Sequence, residues 1–254
     1  MKPSVRLATA KIPGGGEMEL YQHDRDFTIK INGQDLMSSR QHESELELAR
    51  LGCAHLVGNK APKVLIGGLG LGYTLRQVLD MLDPNAKVVV GELLGAVVEW
   101  NRDFLGELNG QPLEDERVDI KTGDVVSLIS RSNGKFDAIL LDIDNGPSAM
   151  TSSANSRLYS YEGLMACRYA LRNKGCLAVW SAEPSKKFER LLVGGCGFHL
   201  KRYRVPTYKG SKSQSHFVWV ASENKANLPP GGGEPHLSRG DESKEGRRRP
   251  RDGY

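Results

Sequence analysis

The 254-residue sequence has no apolar run near the roughly 18–20 residues that a membrane span needs, and its opening MKPSVRLATAKIPGGG has no apolar h-region for export. Neither a span nor an export signal is therefore expected, and the expected compartment is the cytoplasm. Cysteine is sparse: Cys53, Cys167, Cys176 and Cys196 lie far apart, in no CxxC and no Cys/His cluster. That spacing argues against structural zinc and a disulfide framework, and no metal site is expected. Charge of one sign is missing too, since 35 basic and 31 acidic residues leave a net +4, too little to signal a nucleic-acid partner by itself. Neither a Walker lysine nor a GxGxxG pattern is present, which disfavours a nucleotide di- or triphosphate as ligand.

What is there is an ordinary globular composition, 39% hydrophobic and 26% charged, in a chain long enough to bury a core without staples. Four regions are expected. Residues 1–16 read as a flexible N-terminus. Residues 17–39 read as a small β-meander, with EMELYQH, FTIKI and QDLM separated by turns at 24–26 and at Asn32-Gly33. Residues 40–221 form the main domain. Residues 222–254 contain six Gly, four Pro and thirteen charged residues, too few apolar groups to offset the entropy of ordering, and are expected as a disordered basic tail. Arg247, Arg248, Arg249 and Arg251 make the basic knot of that tail.

Within the main domain, Ser38 with Gln41 reads as a capping box for a helix whose apolar face is Leu46, Ala49, Cys53, Leu56 and Val57. From residue 63 apolar strands alternate with amphipathic helices: KVLIGG, KVVVGE, RVDIKTG, FDAILLD and CLAVWSA are the strands. This alternation predicts an α/β fold with a mostly parallel sheet covered on both faces. FHLKRYRVP and SQSHFVWVA are too close for a helical crossover and predict an antiparallel hairpin at the sheet's edge. Trp180 and Trp219 read as core, and His199 and His216 as structural or surface residues.

Candidate chemistry gathers at the ends of these strands. Gly68-Leu69-Gly70-Leu71-Gly72 ends the first strand and opens a helix, where glycines let the backbone approach a ligand and helix amides offer donors. Glu92 ends the second strand about 20 residues later, where a carboxylate can accept both hydroxyls of a ribose. Asp124 follows the third strand, placed to accept from an adenine amino group. A ligand-free turn, a solvent-facing acid and a helix cap are the plain readings of these three features; together they point to a nucleoside across the strand ends. The fourth strand ends in Asp142-Ile143-Asp144-Asn145-Gly146-Pro147. Turn chemistry accounts for the later residues, whereas Asp142 is placed to accept a proton from an amine nucleophile or to hold a cation.

This order of motifs resembles the class I S-adenosylmethionine-dependent methyltransferase-like fold, Rossmann-like with an antiparallel last strand. Over residues 17–221 the chain is most similar to the spermidine/spermine synthase family of polyamine aminopropyltransferases. The N-terminal meander, His42-Glu43 before the first Rossmann-like strand, and Pro206-Thr207-Tyr208 in the last hairpin add to that resemblance. The resemblance implies a transferase of polyamine biosynthesis. Gly68, Gly70, Gly72, Glu92 and Asp124 would bind the donor and Asp142 would act as base. His42, Glu43, Asp144, Asn145 and Tyr208 would face the acceptor. It also implies a homodimer and a small amine acceptor.

The sequence departs from the family pattern at three points. Leu71 stands where the family's glycine loop carries an aspartate for the donor's amine, Gln41 stands where a tyrosine precedes His-Glu, and Asn145 replaces the second acid of the fourth-strand motif. The donor is accordingly read as decarboxylated S-adenosylmethionine or S-adenosylmethionine itself. An aminopropyltransferase is the leading reading, a methyltransferase the alternative, and a non-catalytic nucleoside-binding module the third. The last hairpin carries Lys201, Arg202, Arg204, Lys209 and Lys212, expected to point outward; turned inward they would suit an anionic or nucleic-acid substrate, which is not favoured.

Overall fold

Two hydrophobic periods in the chain produce two sheets. The computed structural model describes residues 3–13, 15–143, 157–211 and 215–235. Strands β1 (Val5–Lys11), β2 (Glu17–His23), β3 (Asp26–Ile31) and β4 (Gln34–Ser38) pair antiparallel in the order β1-β2-β3-β4. The β3–β4 hairpin turns on Asn32 and Gly33, both at positive φ, the geometry whose twist matches flanking strands. Met18, Leu20, Phe27 and Ile29 alternate onto the buried face.

The expected flexible stretch over 1–16 is corrected by β1. Its register shifts between Arg6 and Ala8, so the period-2 alternation that marks a strand is broken within seven residues. As an edge strand it buries only part of Leu7, Ala8 and Ala10, which leaves little contrast in the sequence.

The second sheet holds β5 (Lys63–Gly67), β6 (Lys87–Glu92), β7 (Val118–Thr122), β8 (Phe136–Leu141), β9 (Leu171–Ser181), β10 (His199–Pro206) and β11 (Ser215–Ser222), in the order β10-β11-β9-β8-β5-β6-β7. The five strands from β9 to β7 are parallel, and β11 and β10 run antiparallel, the expected edge hairpin. Successive side chains serve opposite faces: Val64, Ile66, Ala138 and Leu140 join one core, while Leu65, Ile139 and Leu141 join the other. Helices α1 (Glu43–Gly52) and α2 (Tyr73–Met81) pack on the first face. Helices α4 (Val125–Ser130), α5 (Tyr161–Ala170) and α6 (Lys186–Arg190) pack on the second. Helix α3 (Gly95–Asp103) follows β6 and buries Val97, Val98 and Trp100 in the first core.

Two local expectations change. Helix α1 begins one turn later than the proposed Ser38/Gln41 box, with His42 as an N-cap that makes no side-chain cap bond; Ser38 Oγ instead accepts from the Arg40 amide at 3.3 Å. Val57, assigned to the helix's apolar face, lies beyond the helix and is exposed.

Residues 223–235 are part of the described fold, so a tail beginning at 222 is also corrected. Arg202 and Gly233 exchange two backbone hydrogen bonds at 2.9 Å, and Tyr203 donates to the Pro229 carbonyl at 2.6 Å. This strap covers the free edge of β10, a position that would otherwise present unpaired backbone. Among the described residues no helix is long and apolar enough to cross a membrane.

Candidate functional site

The carboxyl ends of β5, β6 and β8, the start of α4 and the N-terminal sheet enclose a cleft of about 390 Å³. Parallel strands point their carboxyl ends to the same edge, so loops following them meet there. The glycine loop forms the floor. Gly68 has φ +92°, and a Cβ there would run into the Asp142 carbonyl, so only glycine lets β5 and β8 end this close together. The roof comes from the N-terminal sheet: a Cβ at Gly70 would come within 3.2 Å of the Met37 sulfur of β4. Ile29, Ile31 and Leu36 add apolar surface to that roof.

Glu92 is buried at the end of β6. One carboxylate oxygen accepts from the Leu69 amide and the other from the Leu94 amide, both at 2.9 Å. Burial pushes its pKa up, against the pull of these amides. Each carboxylate oxygen has a second lone pair, so acceptor capacity remains for two hydroxyls. Asp124 caps α4, accepting from the Val126 amide at 3.0 Å and the Ser127 hydroxyl at 2.8 Å, and it also lines the cleft.

Asp142 leaves β8 on the opposite wall. Its Oδ2 accepts from the Thr74 hydroxyl at 2.6 Å, which leaves Oδ1 open. Burial pushes its pKa up, Thr74 counteracts this, and the charge of Glu92 adds to the rise. Next to it stands a carboxylate that sequence reasoning missed. Glu45 of α1 lines the cleft, accepts from the Ser44 hydroxyl at 2.6 Å, and has its pKa raised first by burial and then by the charge of Asp142. In the folded helix Glu45 continues the buried stripe Leu48, Ala49 and Gly52 along α1, whereas the sequence, with acids at 43, 45 and 47, does not mark which of them turns inward.

The far end is built from Trp180 and His216, whose rings meet edge-on at 4.7 Å. Trp180 packs against the first core as expected, and His216 holds structural contacts, but both also line the cleft, a role not expected for either; Trp219 is core as expected, with no exposure. The Trp180 Nε1 is buried without a hydrogen-bond partner among the described residues. Burial lowers the His216 pKa, favouring the neutral ring, and its Nδ1 lies 3.0 Å from the Ser44 hydroxyl oxygen. Since Ser44 gives its single hydrogen to Glu45, Nδ1 is the donor in that contact.

Other candidates fall elsewhere. Gly72 turns the chain into α2 at φ +85° and does not line the cleft. His42 stacks on Tyr73 at 4.1 Å, and it is Tyr73 that reaches the cleft, its hydroxyl pKa pushed up to about 12 by burial, with the charges of Glu45 and Asp26 adding to the rise. Glu43 pairs with Arg50 at 3.2 Å on the outer side of α1. Tyr208 is exposed. The Glu43 amide does donate to the Thr207 carbonyl at 3.3 Å, so the His42-Glu43 and Thr207-Tyr208 segments meet at a rim outside the cleft lining. Asp144 and Asn145 lie outside the described residues. No described cation of the last hairpin lines the cleft: Arg202 pairs with Glu189 at 2.8 Å and Lys201 donates to the Pro229 carbonyl.

The family model described as the spermine/spermidine synthase domain matches residues 50–191, from the end of α1 through the glycine loop, Glu92, Asp124 and Asp142 to α6. The chain belongs to the spermine/spermidine synthase domain family. Among curated relatives, a polyamine aminopropyltransferase of Saccharolobus solfataricus is 31% identical over 131 residues, covering 51% of this chain and 42% of the relative. Polyamine aminopropyltransferase 1 of Pseudomonas aeruginosa is 26% identical over 184 residues, covering 68% of this chain and 61% of the relative. The chain thus spans about half the length of the curated relatives it matches. Solved structures share the fold: a spermidine synthase in complex with the transition state analogue AdoDATO superposes with a TM-score of 0.70 at 20% identity, covering 89% of this chain and 77% of that one. The spermidine synthase from Thermotoga maritima gives 0.67 at 20% identity, with 89% and 76% covered. The spermine/spermidine synthase domain here is therefore the α/β sheet with its strand-end cleft, roofed by the four-stranded N-terminal sheet.

Proposed function

We propose that the chain moves an aminopropyl group from decarboxylated S-adenosylmethionine to a small amine acceptor. One observation carries this reading: Glu45, Glu92, Asp124 and Asp142 line the cleft, and no lysine or arginine does so among the described residues. The segment 144–156 that follows Asp142 also contains neither. A ligand carboxylate ~6 Å from any one ionised acid here would be repelled by about 3 kcal/mol at an effective dielectric of ~20. The same field attracts an ammonium. Intact S-adenosylmethionine, with its carboxylate, is the poorer match.

The residues suit the donor. Gly68 and Gly70 leave the backbone bare beside the cleft, Glu92 retains lone pairs for the ribose hydroxyls, and Asp124 retains them for the adenine amino group. The donor's sulfonium supplies both the electrophilic carbon and a good leaving group. Thr74 fixes Asp142 through Oδ2, so Oδ1 is left to take the proton from an attacking ammonium. Raising the Asp142 pKa toward neutrality makes it a better proton acceptor than an ordinary surface carboxylate. The amine then forms the N–C bond as the C–S bond breaks, releasing methylthioadenosine and a lengthened polyamine. Proximity of the two reactants supplies much of the acceleration. The same reading includes a homodimer through the N-terminal sheet and a cytoplasmic site of action.

Calorimetric titration with methylthioadenosine, decarboxylated S-adenosylmethionine and intact S-adenosylmethionine tests the reading. Binding of the first two with preference over the third is expected. Preference for the intact form would replace it with methyl transfer, and binding of none would leave only the fold.

A further inference from the structure

Glu45 is not needed as the base, because Asp142 fills that place, nor for the nucleoside, which Glu92 and Asp124 serve. It is nevertheless held in place from several sides. Ser44 donates to its Oε2 at 2.6 Å, His216 holds Ser44, and the Thr74 hydroxyl that fixes Asp142 also lies 3.3 Å from the Glu45 carbonyl. Burying a second carboxylate beside Asp142 destabilises the empty protein, and nothing positive in the cleft lining offsets it. Trp180, whose indole N–H is buried without a partner among the described residues, and neutral His216 close the same end. The glycine loop contributes Gly68, Leu69, Gly70 and Leu71 to the lining and no acid, so the carboxylate at this end comes from α1 instead.

We propose that Glu45 is the residue that grips the primary ammonium end of a substrate, making α1 and not the glycine loop the source of cation specificity in this chain. The proposal rests on the reading of the cleft as a site for amine chemistry. The ammonium donates to the free Glu45 oxygen, Oε1, since Oε2 is taken by Ser44. The alkyl arm behind it lies against apolar lining such as Leu71 and the ring of Trp180. Two substrates share this chemistry, the aminopropyl arm of the donor and the amine acceptor, and the test separates them.

The full chain and its Glu45→Gln and Glu45→Asp variants are titrated calorimetrically with methylthioadenosine, which has no ammonium, with decarboxylated S-adenosylmethionine, and with 1,4-diaminobutane. Glu45→Gln is expected to bind methylthioadenosine as the parent does and to lose about tenfold or more in affinity for an ammonium probe. Loss with the decarboxylated donor alone places Glu45 on the donor arm; loss with the diamine places it on the acceptor. Glu45→Asp, which keeps the charge, retains more of the affinity. Because glutamine fills the same space without a buried charge, its thermal midpoint is expected at or above that of the parent. Equal binding of both ammonium probes by the parent and Glu45→Gln, or equal losses in the Gln and Asp variants, overturns the proposal. If the parent fails to bind methylthioadenosine while the diamine effect persists, the nucleoside reading falls and the cation role of Glu45 stands.

Discussion

Replacing Asp142 by Asn separates chemistry from binding. The substitution keeps the shape of the side chain and the backbone bond from the Asp142 amide to the Gly67 carbonyl at 2.8 Å. Thr74 can still donate to the amide oxygen, so the hydrogen bond now at 2.6 Å keeps an acceptor. The variant lacks the group proposed to take the proton, and loss of a positioned base slows such a step by about 10²–10⁴, or about 3–5 kcal/mol of barrier. Nucleoside affinity should be unchanged, since Glu92 and Asp124 are untouched. Stability should hold or rise, because a carboxylate disfavoured by burial and by Glu92 is neutralised. The assay is release of methylthioadenosine under saturating donor and amine, with a calorimetric titration and a thermal melt on the same sample. An unchanged kcat in a folded variant that binds methylthioadenosine would remove Asp142 from the mechanism.

Three further outcomes are expected. Glu92→Ala leaves the Leu69 and Leu94 amides without their carboxylate partner, about 1–3 kcal/mol for each group left unsatisfied, and weakens methylthioadenosine binding; a melt and a titration unchanged from the parent would contradict the placement of Glu92. Ending the chain at Ser222 removes the Tyr203–Pro229 bond and the burial of Leu228, together about 3 kcal/mol and a fall of roughly 5–10 °C in Tm; an unaltered melt would show the strap to be unimportant. Glu45, Asp142 and Glu92 all have pKa values raised on folding, so the native state holds more protons than the unfolded chain above the ordinary carboxylate range. Their contribution is therefore lost as pH rises; burial lowers the pKa values of His55 and His216, which gives the opposite slope up to about pH 7, so melts from about pH 7 to about pH 8.5 should show Tm falling unless ligand is present, and a rise across that window would contradict the shared burial of these acids.

The strand-end logic of the site was legible because it rests on local patterns. A strand, a glycine loop and a helix occur in order, and Glu92, Asp124 and Asp142 each follow a strand whose apolar run is visible. What was not legible depended on pairing between distant segments. Helix α1 begins Glu43-Ser44-Glu45-Leu46-Glu47, an acid at every other position, and only docking of Leu48, Ala49 and Gly52 on the sheet decides that Glu45 faces inward while Glu43 and Glu47 reach Arg50. Trp180 reaches the cleft because β11 pairs with β9 in a register that sets it opposite Val218, with His216 two residues further along β11. Strand β1 was hidden by its bulge. The strap at 225–233 was hidden by composition, since its one buried leucine and a tyrosine–carbonyl bond are too small a signal against prolines and glycines.

The cleft is also costly to leave empty. Three carboxylates with raised pKa values share it; burial makes all three resist ionisation, and for Glu45 and Asp142 the charge of a neighbouring acid adds to it. Ionising all three without a cation sets them against one another, and protonating them removes the proposed base and the proposed cation site together. An ammonium ligand resolves the conflict, since it lets the acids ionise while it occupies the cleft. Binding a cation and lowering the acids' pKa values are then one linked equilibrium. The roof follows the same logic, because Met37, Leu36 and the isoleucines Ile29 and Ile31 of the N-terminal sheet keep water away and so strengthen the attraction between ligand and acids. An apolar roof over an acidic floor selects for a ligand with a positive end and a greasy arm.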